Sequence, residues 1–245
     1  MTAPASSPWL STKPIPPRDR LIFALDTSSA TEAKRLIELL GDEVQFYKLG
    51  LELFMSGEYF ELIDHLSERG KKCFVDLKFF DVPQTVGSAV RQLRGRNAAF
   101  ATVHGNDAIL EAACREKGDT RILAVTVLTS LDDGDLRDLG FEVDVRKLVI
   151  SRARRALEIG CDGVISSGLE AEALREALGE RLLIVCPGIR PVKNIDDQKR
   201  TVDVEEAFGN GADYIVVGRP IREAADPAAA AADIQDRIVR LFGPG

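Results

Sequence analysis

Lys48, Asp76, Lys78 and Asp81, with Asp26 upstream, carry the densest chemistry in this sequence. The stretch Lys72-Cys73-Phe74-Val75-Asp76-Leu77-Lys78-Phe79-Phe80-Asp81-Val82-Pro83 is an apolar, strand-like run that ends in Asp76. It then presents Lys78 and Asp81 before Pro83 opens a helix. Residues i and i+2 of a strand share a face, so Asp76 and Lys78 are expected to point the same way. An ammonium between two carboxylates stays charged until it gives up a proton, which suits a general acid. The same residues allow a structural reading: Asp81 and Gln84 have the spacing of a capping box, and Asp76–Lys78 that of a solvated strand-end pair.

A second set of candidates lies late in the chain, in Pro187-Gly188-Ile189-Arg190-Pro191 and Gly218-Arg219-Pro220. Glycine beside arginine just after an apolar strand suits an anion held by backbone N–H groups and a guanidinium. Lys193, Gln198, Lys199 and Arg200 follow in a loop able to fold over a phosphate. Pro-Gly and Arg-Pro also occur as plain turn punctuation. His104, Ser166 and Asp213 are weaker candidates, as suited to packing or capping as to catalysis. Asp132, Asp133 and Asp135 look like a solvated acidic loop rather than a metal site.

Strands with helices between them must position these groups. Apolar runs at Leu21–Leu25, Val44–Leu49, Lys72–Val75, Phe100–Val103, Arg121–Leu128, Gly163–Ile165, Leu182–Val185 and Tyr214–Val217 predict eight strands. Ser29 with Glu32 starts the first helix, which Gly41 ends; others are expected near 56–70, 83–94, 106–118, from 144, at 169–178 and up to Leu241. Eight strand–helix units without a break in composition predict one α/β domain over 20–245, a (β/α)8 TIM barrel. A doubly wound sheet is the alternative, but the first strand ends in Asp26-Thr27-Ser28 without the glycines of a dinucleotide site. In a barrel the strand ends converge on one mouth, gathering Asp26, Lys48, Asp76, Lys78, His104, Thr129, Ser130, Ser166, Arg190 and Arg219. Charges so placed must pair, and a Lys48–Asp76–Lys78–Asp81 network meets that demand.

Composition narrows the function classes. A net charge of −7 over 245 residues argues against a general nucleic-acid binder. The four cysteines (Cys73, Cys114, Cys161, Cys186) are scattered, which suggests neither a zinc site nor a redox pair and favours the cytoplasm. No signal peptide or membrane span is expected, and residues 1–19, rich in Pro and Ser, predict a flexible arm on which Trp9 and Leu10 pack back against the barrel.

Asp76-Leu77-Lys78-Phe79-Phe80-Asp81-Val82-Pro83-Gln84-Thr85-Val86 resembles the signature of the orotidine 5′-monophosphate decarboxylase family, in its bacterial branch. The likeness extends through Phe23-Ala24-Leu25-Asp26, Tyr47-Lys48-Leu49-Gly50, Val125–Ser130, Pro187–Pro191, Asp197–Arg200 and Val217–Ile221. Phe80, Gln84 and Cys186 depart from it, where histidine, asparagine and threonine are usual. The resemblance implies conversion of orotidine 5′-monophosphate to UMP without a metal or other cofactor. It implies Lys78 as general acid within a network of Lys48, Asp76, Lys78 and Asp81. Asp81 and Thr85 would reach the site of a partner subunit, making the active unit a homodimer. Asp26 and Lys48 would contact the ribose and Thr129 the pyrimidine, while Arg190, Gln198, Gly218 and Arg219 would hold the phosphate. Related barrels that make an enediolate with Mg²⁺ share Asp-x-Lys-x-x-Asp, so they stand as the rival, ahead of a Schiff-base aldolase or a silent phosphate-binding barrel.

Overall fold

Strands that are apolar on both faces must be covered on both, by helices outside and by each other inside. The chain, described over residues 7–190 and 202–243 in a computed structural model, achieves this by closing its sheet. Eight parallel strands follow one another around a closed barrel in sequence order. They are β1 (Leu21–Ala24), β2 (Phe46–Leu49), β3 (Lys72–Phe79), β4 (Ala98–Val103), β5 (Arg121–Val125), β6 (Gly163–Ile165), β7 (Leu183–Cys186) and β8 (Tyr214–Val217). Ile22 lies opposite Phe46 on one side and Val216 on the other, which closes the ring.

The sheath comprises α1 (Ala30–Leu40), α2 (Leu51–Met55), α3 (Tyr59–Glu68), α4 (Pro83–Arg91), α5 (Asp107–Glu116) and α6 (Asp133–Asp138). It continues with α7 (Val145–Ile159), α8 (Ala171–Leu178), α9 (Val204–Gly209), α10 (Arg219–Arg222) and α11 (Pro227–Phe242). Ser29 caps α1 as its spacing predicts, accepting from Glu32 N–H. The helix expected near 56–70 is α3, and the short α2 before it was not expected; Gly57 at φ +92° separates the two. The acidic loop contains α6, whose capping box pairs Asp132 with Asp135, while Asp133 accepts from Val145 N–H. These acids are therefore helix-end acceptors rather than a solvated loop.

Strand alternation sorts the core into two layers. Phe23, Tyr47, Cys73, Val75 and Ala101 face the helices, whereas Ile22, Phe46, Phe74, Phe100, Leu123 and Tyr214 fill the barrel. Phe46, Phe74, Phe100 and Tyr214 pack ring against ring at 5.0–6.0 Å, so the interior is a plug and not a pore. Two residues beyond that plug, the same inward alternation delivers Lys48, Asp76 and Thr102 towards the mouth, and on the first strand Asp26 follows two residues beyond the inward Ala24.

Residues 7–19 lie against the barrel, with Leu10 packed on its core as expected of Trp9 and Leu10. Trp9 Nε1 donates to Glu172, and Ser11 Oγ and Lys13 Nζ donate to Asp213 at the closed end of the barrel. Asp213 is wholly buried and also accepts from Arg175 Nη2 (2.7 Å) and Ile184 N–H (2.8 Å). A buried carboxylate needs that many donors, and the segment supplies two of them. Residues 1–6 lie outside the described residues.

Candidate active site

The floor of the mouth is an ion chain. Asp76, within β3, lies between Lys78 Nζ (2.9 Å from Oδ1) and Lys48 Nζ (3.3 Å from Oδ2). Lys48 also reaches Asp26 Oδ1 at 3.0 Å. Gly50 leaves room for that pair, since a Cβ there would sit 3.1 Å from Asp26 Oδ1 and 3.4 Å from Lys48 Nζ. Asp76 and the Lys48 side chain are nearly closed off, whereas 35% of the Lys78 side chain remains exposed.

Burial works against both inner charges, and their neighbours outweigh it. It pushes the Asp76 carboxyl up, but Lys48 and Lys78, with hydrogen bonds from Lys78 and Thr102, hold it below the usual carboxylate range. It pushes the Lys48 ammonium down, but Asp76 and Asp26 hold it above the usual lysine value. Near neutral pH this inner pair is ionised.

β3 does not run straight through this floor. Its pairing with β4 steps from Val75↔Ala101 to Phe79↔Val103, so Asp76, Leu77 and Lys78 face Thr102 alone. Lys78 adopts φ +47°, the left-handed region that lysine rarely occupies. The alternation that predicted Asp76 and Lys78 on one face is broken at this bulge. They meet because the Lys78 side chain folds back to the carboxylate.

Asp81 stands apart from this run of charges within the chain. It is exposed, and its Oδ1 accepts from the adjacent Val82 N–H at 2.6 Å. The residue that caps α4 is Val82, without a side-chain bond, so the capping box of Asp81 and Gln84 is not formed. Thr85 and Gln84 are exposed on the first turn of α4. Phe80 is exposed, with its ring 5.1 Å from that of His104. Burial, then Arg152 and Lys78, push the His104 imidazole below its usual pKa. Cys186 is fully buried on the helix-facing side of β7.

Above the floor is a cavity of about 530 Å³. Asp26, Lys48, Asp76 and Lys78 line one side of it. Thr129 and Ser130 line it from the loop after β5, and Gly188, Arg190, Gly218 and Arg219 from the loops after β7 and β8. Both candidate clusters thus share one mouth. Gln198, with Lys193, Asp197, Lys199 and Arg200, lies outside the described residues. Glu52 and Arg222 also line the cavity and escaped the sequence analysis. Arg222, one turn beyond Arg219, donates to Asp26 O and so joins the loop after β8 to the strand end of β1. Thr102 escaped as well, although Phe100-x-Thr102 repeats the plug-then-polar spacing of Phe74-x-Asp76 and Phe46-x-Lys48. Among the described residues, no group of three or more His, Cys, Asp or Glu side chains could hold a metal ion.

Fold and site define a (β/α)8 barrel whose charged mouth opens at the C-terminal ends of its strands. The model of the Orotidine 5'-phosphate decarboxylase / HUMPS family matches residues 19–234, and the chain belongs to this family. An orotidine 5'-phosphate decarboxylase from Methylococcus capsulatus is 65% identical over 239 residues, covering 97% of this chain and 99% of that protein. One from Xanthomonas euvesicatoria is 52% identical over 228 residues, covering 92% of this chain and 94% of its own. The crystal structure of orotidine 5'-phosphate decarboxylase from Lactobacillus acidophilus superposes with a TM-score of 0.79 at 34% identity, over 90% of this chain and 99% of that one.

Proposed function

We propose that this barrel is the carboxy-lyase that converts orotidine 5′-monophosphate to UMP and CO2 in pyrimidine nucleotide synthesis, in the cytoplasm and without a cofactor. The observation that carries this reading is Asp76 held between Lys48 and Lys78 on the floor of a cavity whose rim bears Arg190 and Arg219. Loss of CO2 from C6 of the pyrimidine leaves an electron pair in an in-plane orbital that the ring delocalises poorly. The Lys78 ammonium beside C6 stabilises that pair as it forms and then donates the proton that gives UMP. Lys78 recovers its proton from water once the product has left.

Asp76 fixes the ammonium and lies next to the departing carboxylate, while Lys48 keeps Asp76 ionised. Asp26 and Lys48 take the ribose hydroxyls, and Thr129 faces the pyrimidine. Arg190, Gln198, Gly218 and Arg219 take the phosphate, far from the bond that breaks. Binding at that remote end supplies energy for orienting the ring. Asp81 and Thr85, exposed in this protomer, complete the site of a second copy, so the active unit is a homodimer.

The test is loss of the orotate absorbance band with EDTA present, for the wild type and for Lys78→Ala. The wild type is expected to be fully active, and Lys78→Ala to fold and lose nearly all turnover. Activity abolished by EDTA and restored by Mg²⁺ would point to the enediolate-forming relatives. Retention of a tenth of wild-type kcat by Lys78→Ala would remove the general acid.

A further inference from the structure

Thr102 has no exposed surface, yet its hydroxyl is used twice. It accepts from Lys78 N–H at 2.9 Å and donates to Asp76 Oδ1 at 2.9 Å, the same oxygen that Lys78 Nζ reaches at 2.9 Å. The contacts close a ring: Lys78 backbone, Thr102 hydroxyl, Asp76 carboxylate, Lys78 ammonium. The ring lies where three residues of β3 face one of β4 and the ladder's main-chain pairing lapses. The hydroxyl there takes the Lys78 N–H that a β4 carbonyl would otherwise accept.

We propose that Thr102 is a positioning residue: its hydroxyl locks the left-handed Lys78 backbone and the Asp76 carboxylate in one geometry, and so sets where the Lys78 ammonium stands. Valine has nearly the same shape but offers neither donor nor acceptor. It leaves a buried N–H without its partner and the carboxylate with one bond fewer. Serine keeps both bonds and loses only a methyl group. The groups that set the charge at Asp76 are Lys48 from β2, Lys78 from β3 itself and, beyond Lys48, Asp26 from β1, with Glu52 elsewhere on the cavity wall. Tyr59 of α3 lies behind the strands with its hydroxyl on Leu49 O. None of them replaces the Thr102 bond.

The kinetic arm rests on the reaction proposed above. Thr102→Val is expected to lower kcat roughly 10- to 150-fold, as loss of a hydrogen bond to a charged group does, with UMP affinity nearly unchanged. Thr102→Ser should stay within a few-fold of wild type. The acid limb of the kcat–pH profile should move to higher pH in Thr102→Val, because its carboxylate loses a stabilising donor. Equal losses in the Val and Ser variants, or a Val variant with wild-type kcat and an unmoved limb, would overturn the proposal. Thr102→Ala is the second hydroxyl-free variant should valine prevent folding. A reading independent of turnover is the Asp76 carboxyl titration followed by 13C NMR: upward in the Val or Ala variant, unmoved in Ser. An inactive wild type would refute the reaction alone, whereas an unmoved titration in the hydroxyl-free variants would refute the role of Thr102.

Discussion

Replacing Asp76 with asparagine tests the ion chain through stability. The substitution keeps the shape but turns one acceptor oxygen into an NH2 donor and removes the one negative charge that Lys48 and Lys78 share. Breaking a fully buried pair costs about 3–5 kcal/mol. Lys48 retains Asp26 at 3.0 Å, and the Lys78 side chain is 35% exposed, so solvent recovers part of that loss. The expected cost is therefore about 2–3 kcal/mol, which at about 2–4 °C per kcal/mol for a chain of this size lowers Tm by about 4–12 °C. The pH dependence follows from the direction of the Asp76 shift. Its folded pKa lies below the unfolded value near ~3.9, so its contribution is fully present above that value and is lost as pH falls through the folded pKa. Thermal melts of wild type and Asp76→Asn between pH 7 and pH 3 should show a gap that is constant near neutrality and narrows as pH falls below about 4. A gap under about 2 °C at pH 7, or one unchanged at pH 3, would show that Asp76 is not the ionised centre of the chain.

Two further outcomes bear on the site's ends. Mixing inactive Lys78→Ala with inactive Asp81→Ala subunits should restore activity, since one site of each mixed dimer collects both defects and the other neither; no recovery after confirmed subunit exchange places Asp81 in its own subunit's site. Arg219→Ala should lower kcat/KM for the nucleotide roughly 10- to 150-fold while leaving the slow reaction of orotidine nearly unchanged, because the nucleoside has no phosphate to lose; equal losses on both would make Arg219 a structural residue.

Most of the barrel was legible because its strands are buried on both faces and so read as unbroken apolar runs. The ends were less legible where side chains take over from the ladder. The fifth strand was expected to reach Leu128, but its ladder stops at Val125, where Thr126 Oγ1 donates to Ile165 O. α9, between the expected phosphate loop and β8, is not among the expected helices, although Asp203 caps it. The bonds from residues 7–19 to Asp213 could not be read from Pro and Ser content, because Ser11 and Lys13 find that acceptor on the far side of the sequence. Asp76, Lys78 and Lys48 were legible as charges following apolar strands. Thr102 was not, because an uncharged residue inside an apolar run gives no such signal.

The bulge in β3 brings Asp76 and Lys78 together by a geometry that the sequence motif does not contain. On a regular strand, Asp76 and Lys78 would stand side by side on the inner face, and the lysine's long chain would be free to extend into the cavity. The left-handed turn at Lys78 instead brings the ammonium back onto Asp76 Oδ1. Such a conformation costs a non-glycine residue of order 1–3 kcal/mol and persists only where the surroundings over-determine it. Two observed bonds do so here, Lys78 N–H to Thr102 and Lys78 Nζ to Asp76. A glycine at 78 would adopt this backbone without strain but would carry no proton. In the proposed reaction that strain is the consequence of placing a lysine at a turn, and an ammonium already oriented needs little reorganisation when charge develops beside it.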